Sequence, residues 1–137
     1  MNEKTAVQVW SRLRALVLER HDRRQEVCEA LGMSFSKIKA LRYLAMEPLT
    51  MRELTDRLKV DSPYTTLLVD DLEQRGLAER TAHPADRRRK IVTVTPEGVV
   101  AAARAEQIVS RPPAELLALD PADLAELARI TAVFDDA

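Results

Sequence analysis

The sequence predicts a mainly helical protein with one small β-hairpin, on three observations. Apolar residues recur at helical spacing along most of the 137 residues. Only 4 % of residues are aromatic and only three are glycine. One β-branched run, Lys90–Thr95, has clear strand character. The length fits one domain with an attached association element. With 46 % hydrophobic and 31 % charged residues, the composition is that of an ordered chain.

The same composition excludes several chemistries. Cys28 is the single cysteine, so no intramolecular disulfide forms, and with two histidines it cannot complete a four-ligand zinc site. No metal or cofactor is expected. No run of about eighteen apolar residues exists, and the polar start from Met1 to Thr5 is not a signal sequence, so a cytoplasmic protein away from membranes is expected. No nucleophile, base and orienting group stand together, and no enzyme is expected.

The first thirty residues predict one long helix. Val9, Trp10, Leu13, Leu16 and Val17 form an apolar stripe, thinned to Val27, Cys28 and Leu31 in the charged second half. Gly32 stands at the C-cap. A helix this long outgrows a small core, so its stripe calls for a partner chain. Ser34 is placed to cap a helix to Met46 with Ile38, Leu41 and Leu44 inward, and Glu47-Pro48 ends it. Thr50 and Glu53 form a capping box opening a short helix with Leu54 and Leu58 one turn apart.

Ser62 as N-cap and Pro63 at the first helical position then predict a helix to about Arg75, stopped at Gly76. Its wheel puts Thr65, Leu68, Val69 and Leu72 inward. Pro63, Leu67, Asp70 and Gln74 face outward, flanked by Tyr64 and Thr66. Two helices so closely spaced make a helix-turn-helix. Two strands, Leu77–Arg80 and Lys90–Thr95, follow, joined by a polar loop over 83–89. A strand, a basic loop and a strand after a helix-turn-helix make a winged helix. A helix from Pro96 to Ser110 is broken by Pro112-Pro113. A short segment at Glu115–Leu119 precedes a last helix, capped at Asp120-Pro121, with Leu124, Leu127, Thr131 and Phe134 on one side.

Net charge is −1, but it is unevenly spread. Residues 31–60 hold six cations (Lys37, Lys39, Arg42, Arg52, Arg57, Lys59) against three acids (Glu47, Glu53, Asp56). Residues 80–90 hold five (Arg80, Arg87, Arg88, Arg89, Lys90) against Asp86, while 91–137 hold eight acids and three arginines. One side of the molecule is therefore expected to face a polyanion.

The run Val69-Asp70-x-Leu72-Glu73-x-Arg75-Gly76-Leu77, the wing His83-Pro84-x-Asp86-Arg87-Arg88 and Thr95-x-x-Gly98 carry a resemblance over nearly the whole chain. The sequence resembles the multiple antibiotic resistance regulator (MarR) family of winged-helix transcription factors. The resemblance implies a homodimer with interlocked terminal helices, binding to a pseudo-palindromic operator, and often release by a small molecule or oxidant. The expected regions are an N-terminal dimerisation helix (1–32), a winged helix-turn-helix (33–96) and C-terminal dimerisation helices (97–137).

The sequence departs from the family where Leu67 and Asp71 stand at commonly basic positions, and 62–74 hold no Lys or Arg. Asp71 is expected to pair with Arg75 at i,i+4. An outward Leu67 suits a thymine methyl. Phosphate contacts are expected from Ser34, Lys37, Thr50, Arg52, Lys59, Arg80 and Lys90. Base reading is expected from Ser62, Tyr64, Thr66 and Leu67, with Pro63 on the same face. Arg87, Arg88 and Arg89 suit a narrow minor groove. The resemblance implies that Arg88 is inserted there and that Asp86 braces the wing by an ion pair.

Cys28 reads as a small apolar residue rather than an oxidation sensor, since Glu26 and Glu29 flank it. A small aromatic or phenolic effector would bind where the winged helix meets the helical part, against Trp10, Val17, His21, Ile38, Leu41, Arg42 and Met46. A filled apolar junction is the alternative. The expected function is a dimeric transcription regulator, a repressor released by such an effector. A winged-helix protein-interaction module that has lost DNA binding is the alternative, consistent with the acidic recognition helix.

Overall fold

The leucines and valines predicted to face inward meet in one core, around which the helices and a small sheet are arranged. The structure, a computed structural model, describes residues 2–136; residues 1 and 137, the ends of the expected first and last regions, lie outside the described residues. The elements run α1 (Glu3–Arg14), a π-helical turn (Ala15–Arg20), α2 (Arg23–Leu31), α3 (Phe35–Met46), β1 (Leu49–Thr50), α4 (Met51–Leu58) and α5 (Ser62–Gln74). They continue with β2 (Ala78–His83), β3 (Asp86–Val94), α6 (Pro96–Ser110), α7 (Ala114–Leu117), α8 (Pro121–Ala132) and a 3-10 turn (Val133–Asp136). Ile38, Leu41 and Leu44 from α3, Leu54 from α4, and Leu68, Val69 and Leu72 from α5 are buried together with Leu49 and Val92 of the sheet. Val27 from α2 and Ala102 and Ala105 from α6 close the other side.

The predicted caps at Ser34 and Thr50 are present. Ser34 accepts the backbone N–H of Lys37, and Thr50 and Glu53 form the reciprocal capping box. Gly32 and Gly76 end α2 and α5 with left-handed backbone, at φ +65° and +72°. Two expectations on caps are corrected. Asp61, not Ser62, caps α5, its carboxylate accepting the Tyr64 N–H at 2.8 Å, so Ser62 is already helical. Asp120 precedes Pro121 as expected but makes no side-chain cap.

The predicted single N-terminal helix is divided. After Arg14 the backbone widens into a π turn and leaves helical geometry at His21 (φ −133°, ψ 64°). Asp22 then caps α2 by accepting the Gln25 N–H at 3.1 Å. A carboxylate that satisfies a free N–H competes with continuation of the helix, which is the physical reason for the break.

The sheet has three antiparallel strands in the order β1-β3-β2. Leu49 and Thr50 pair with Val92 and Ile91, a short edge strand absent from the sequence reading. The expected 83–89 loop is also corrected. β2 and β3 extend to a tight turn at Pro84-Ala85, with His83 opposite Asp86. Ala82 lies opposite Lys90, so Arg87, Arg88 and Arg89 form an extra bulge on β3 between those two pairs.

Thr95 ties the wing to α6. Its hydroxyl donates to the Gly76 carbonyl at 2.6 Å and accepts the Gly98 N–H at 3.0 Å. A Cβ on Gly98 would lie 2.0 Å from the Leu77 carbonyl oxygen and 2.5 Å from Val94 Cγ2. Gly98→Ala is expected to destabilise the fold by about 2 kcal/mol. That corresponds to a fall of about 6 °C in Tm for a chain of this size. A melt unchanged from the parent would contradict this packing.

Candidate nucleic-acid interface

The helix-turn-helix is held by hydroxyls as well as apolar contacts. Buried Thr65 of α5 donates to the Asp61 carbonyl at 3.1 Å and lies 2.9 Å from the Thr55 hydroxyl of α4. This bond fixes α5 against α4 at the end where α5 begins. Pro63 has no N–H and Asp61 takes those of Tyr64 and Thr65, so the first turn of α5, the end by which a recognition helix meets base edges, is firmly capped. Tyr64 and Leu67 are exposed there, Leu67 at 65 %. Ser62, Pro63 and Thr66 are exposed beside them.

A depression of about 540 Å³ lies between α4, the start of α5 and the wing. It brings together Arg52, Ser62, Thr66, Arg80 and Lys90 from the residues expected at the interface. Met51, Thr55 and Asp56 also line it and were missed, because their helical positions carry no signal of facing a partner. Arg87, Arg88 and Arg89 stand exposed on the bulge beyond it. Asp86 accepts the backbone N–H of Arg88 at 3.0 Å, and this bond, rather than the expected ion pair, braces the wing. The Ala85 N–H donates to His83 Nδ1 at 3.0 Å at the same tip.

Ser34 and Thr50 serve as helix caps, and Lys59 ends α4 in left-handed backbone at φ 56°. Hydrogen bonds to Thr50 hold the Glu53 carboxyl below its usual range, helped by the charges of Arg89 and Arg57. Lys37 is not free, because its ammonium lies 3.3 Å from Asp71. Asp71 also accepts from Arg75 Nε at 2.6 Å, the expected i,i+4 pair. The Arg75 hydrogen bond is the main reason that the Asp71 carboxyl is held below its usual range, with Lys37 adding to it. Arg80, expected to meet a phosphate, is bound to Asp70 and Glu73.

The model of the MarR family matches residues 31–89, from the end of α2 to the wing. A Thauera aromatica protein assigned to transcriptional regulation of the hcr operon is 40 % identical over 72 residues, which are 52 % of this chain and 43 % of that protein. The match therefore spans less than half the length of that relative. The structure of YusO from Bacillus subtilis is similar over 100 % of this chain and 99 % of its own, with 26 % identity and a TM-score of 0.78. Apo MarR from E. coli covers 90 % of this chain and 94 % of its own, with 25 % identity and a TM-score of 0.73. The chain is similar to the MarR family over residues 31–89 and shares the fold of its solved members. MepR from S. aureus, solved in complex with DNA, shares the fold over 90 % of this chain and 96 % of its own, with 20 % identity and a TM-score of 0.65.

The expected effector residues do not converge. Ile38 and Leu41 are fully buried in the core and line no cavity. Trp10 and Val17 are exposed on the N-terminal arm, Trp10 at 63 %. His21 is half-buried and bonded through Nε2 to Glu115 at 2.8 Å, joining the start of α2 to α7. Of these residues, Arg42 and Met46 border a groove of about 690 Å³ between α3 and α6. Lys39, Tyr43, Ala45, Val99, Ala102, Ala103 and Glu106 complete its wall, and Arg42 pairs with Glu106 across it. The expected pocket failed because the helical wheel marks which side of α3 is apolar, and that side is filled by core. Cys28 is half-buried against the core, and burial, aided by Asp22 and Glu29, pushes its thiol pKa up. A raised pKa keeps it protonated at neutral pH, the state of an inert packing thiol.

Proposed function

We propose that the protein is a homodimeric DNA-binding regulator of transcription. Each subunit would place α5 in a major groove and the Arg87–Arg89 bulge in the adjacent minor groove. The observation that carries this reading is the bulge itself: three exposed arginines project from the wing beside the uncharged first two turns of α5. The DNA complex of MepR supports the same use of the shared fold. Ser62, Tyr64, Thr66 and Leu67 would read base edges. Arg52, Lys59 and Lys90, which have no ion pair among the described residues, would meet phosphates.

Dimerisation follows from apolar surface. Val9, Trp10, Leu13 and Val17 on the N-terminal arm and Leu124, Ile130, Val133 and Phe134 near the C-terminus are exposed. Interlocking these segments in a two-fold dimer covers both. The two recognition helices would then stand about one duplex turn, roughly 34 Å, apart. A cytoplasmic location fits this role, and no helix among the described residues is long and apolar enough to cross a membrane.

The α3–α6 groove suits a small aromatic or phenolic anion, with Tyr43, Met46 and Val99 for the ring and Arg42 or Lys39 for the charge. Such a ligand releases DNA if it binds better to a dimer whose recognition helices are wrongly spaced, and DNA must then weaken its binding by the same factor.

Two measurements test this reading on duplexes tiled across the intergenic DNA upstream of its own gene. Arg88→Ala is expected to weaken binding and to lower the salt slope of log K by about one unit if a phosphate contact is lost. Its Tm should stay near the parent's, since an exposed bulge contributes little to stability. Parent-like binding would exclude the wing as a reader. Salicylate is expected to release the bound duplex and raise Tm, with Arg42→Ala abolishing both effects. No release and no shift at millimolar salicylate would contradict the groove's role.

A further inference from the structure

The recognition helix poses an electrostatic problem for the reading just given. It carries Asp70, Asp71 and Glu73 and no Lys or Arg, so it would bring three carboxylates to a polyanion. All three lie in the last five residues of α5, and each is met by a cation from outside the helix. Arg75, just past its end, and Lys37 of α3 take Asp71. Arg80 of β2 takes both of the others. Three acids against three cations leave the cluster neutral.

Arg80 is the most engaged of the three cations. Its backbone N–H donates to Glu73 Oε1 at 2.7 Å and its Nε to the same oxygen at 3.2 Å. Its Nη2 donates to Glu73 Oε2 at 3.1 Å and also to Asp70, one turn earlier on α5. The residue sits on the first strand of the wing, opposite Val92 of β3, which is buried in the core. A rigid guanidinium fork therefore grips the recognition helix from the wing strand.

We infer that Arg80 is a positioning residue of the DNA interface, which joins the wing to the recognition helix and masks that helix's carboxylates rather than holding a phosphate. The inference rests on the DNA-binding reading above. Its physical content is twofold. Wing and helix must enter neighbouring grooves, so their relative orientation has to be set before DNA arrives. Two carboxylates left unmasked within about a Debye length, roughly 8 Å, of the backbone would repel it.

The test compares four proteins: the parent, Arg80→Gln, Asp70→Asn with Glu73→Gln, and the triple variant. Each is titrated by fluorescence anisotropy at several salt concentrations against labelled duplexes from the upstream intergenic DNA, and each is melted. Arg80→Gln is expected to bind roughly tenfold more weakly at low salt, with the loss shrinking as salt screens the unmasked carboxylates. The loss should vanish in the carboxamide background, where the triple variant should bind as well as Asp70→Asn with Glu73→Gln. That second comparison leaves no carboxylate without its partner, so it stands even if Arg80→Gln alone folds poorly. A phosphate-contact role would instead give the same loss in both backgrounds, and would overturn the inference. Parent-like binding by Arg80→Gln would also overturn it. Failure of the parent itself to bind any of the duplexes would overturn the DNA-binding reading, and is seen before any variant is compared.

Discussion

Apolar surface with nothing in its own chain to cover it is the constraint on which this molecule depends. The core around Ile38, Leu41, Leu54, Leu72 and Val92 is complete within one chain, and no buried side-chain polar atom among the described residues lacks a partner. The N-terminal arm and the last helix are different: none of the residues of α1 or α8 is buried. Trp10 and Phe134, near opposite ends of the sequence, leave large apolar surface uncovered in a lone chain. In the proposed dimer these faces are the interface, and the same interface sets the distance between recognition helices. Association, spacing and DNA recognition then become one structural problem.

Within each winged helix, charge is arranged by pairing more than by excess. In the proposed reading, a chain of net charge −1 presents cations to DNA because its carboxylates near the surface of α5 are engaged by Lys37, Arg75 and Arg80. Around α4, α5 and the wing, the cations without an ion pair among the described residues are those of the wing bulge, Arg52, Lys59 and Lys90. The uncharged start of α5 between them leaves base reading to hydroxyls, Tyr64 and the exposed Leu67. The acidic recognition helix that kept an interaction-module reading open is thus neutralised by its own fold.

Much of this was legible in the sequence because local chemistry determines it. Ser34, Thr50, Gly32 and Gly76 act at the helix ends where their residue types predict, and the wheel of α5 correctly buried Thr65, Leu68, Val69 and Leu72. The break before α2 was also written there, as Asp22 three residues before Gln25, but the helical stripe on either side hid it. Features set by partners distant in sequence were not legible. The β1 edge strand exists through Val92 and Ile91, and the arginine bulge exists through the register of Ala82 and His83. Arg80 reads as a phosphate contact until Asp70 and Glu73 are seen folding against it. The groove that Arg42 and Met46 border was hidden for the same reason, since its far wall comes from α6.

Sedimentation equilibrium of the full chain at micromolar concentration tests the central claim most directly. The account predicts a two-chain mass, twice 15.4 kDa, with no appreciable folded monomer. A folded 15.4 kDa species that persists across that range would show that the apolar faces of α1 and α8 are covered some other way. It would contradict the account of how two recognition helices are set one duplex turn apart.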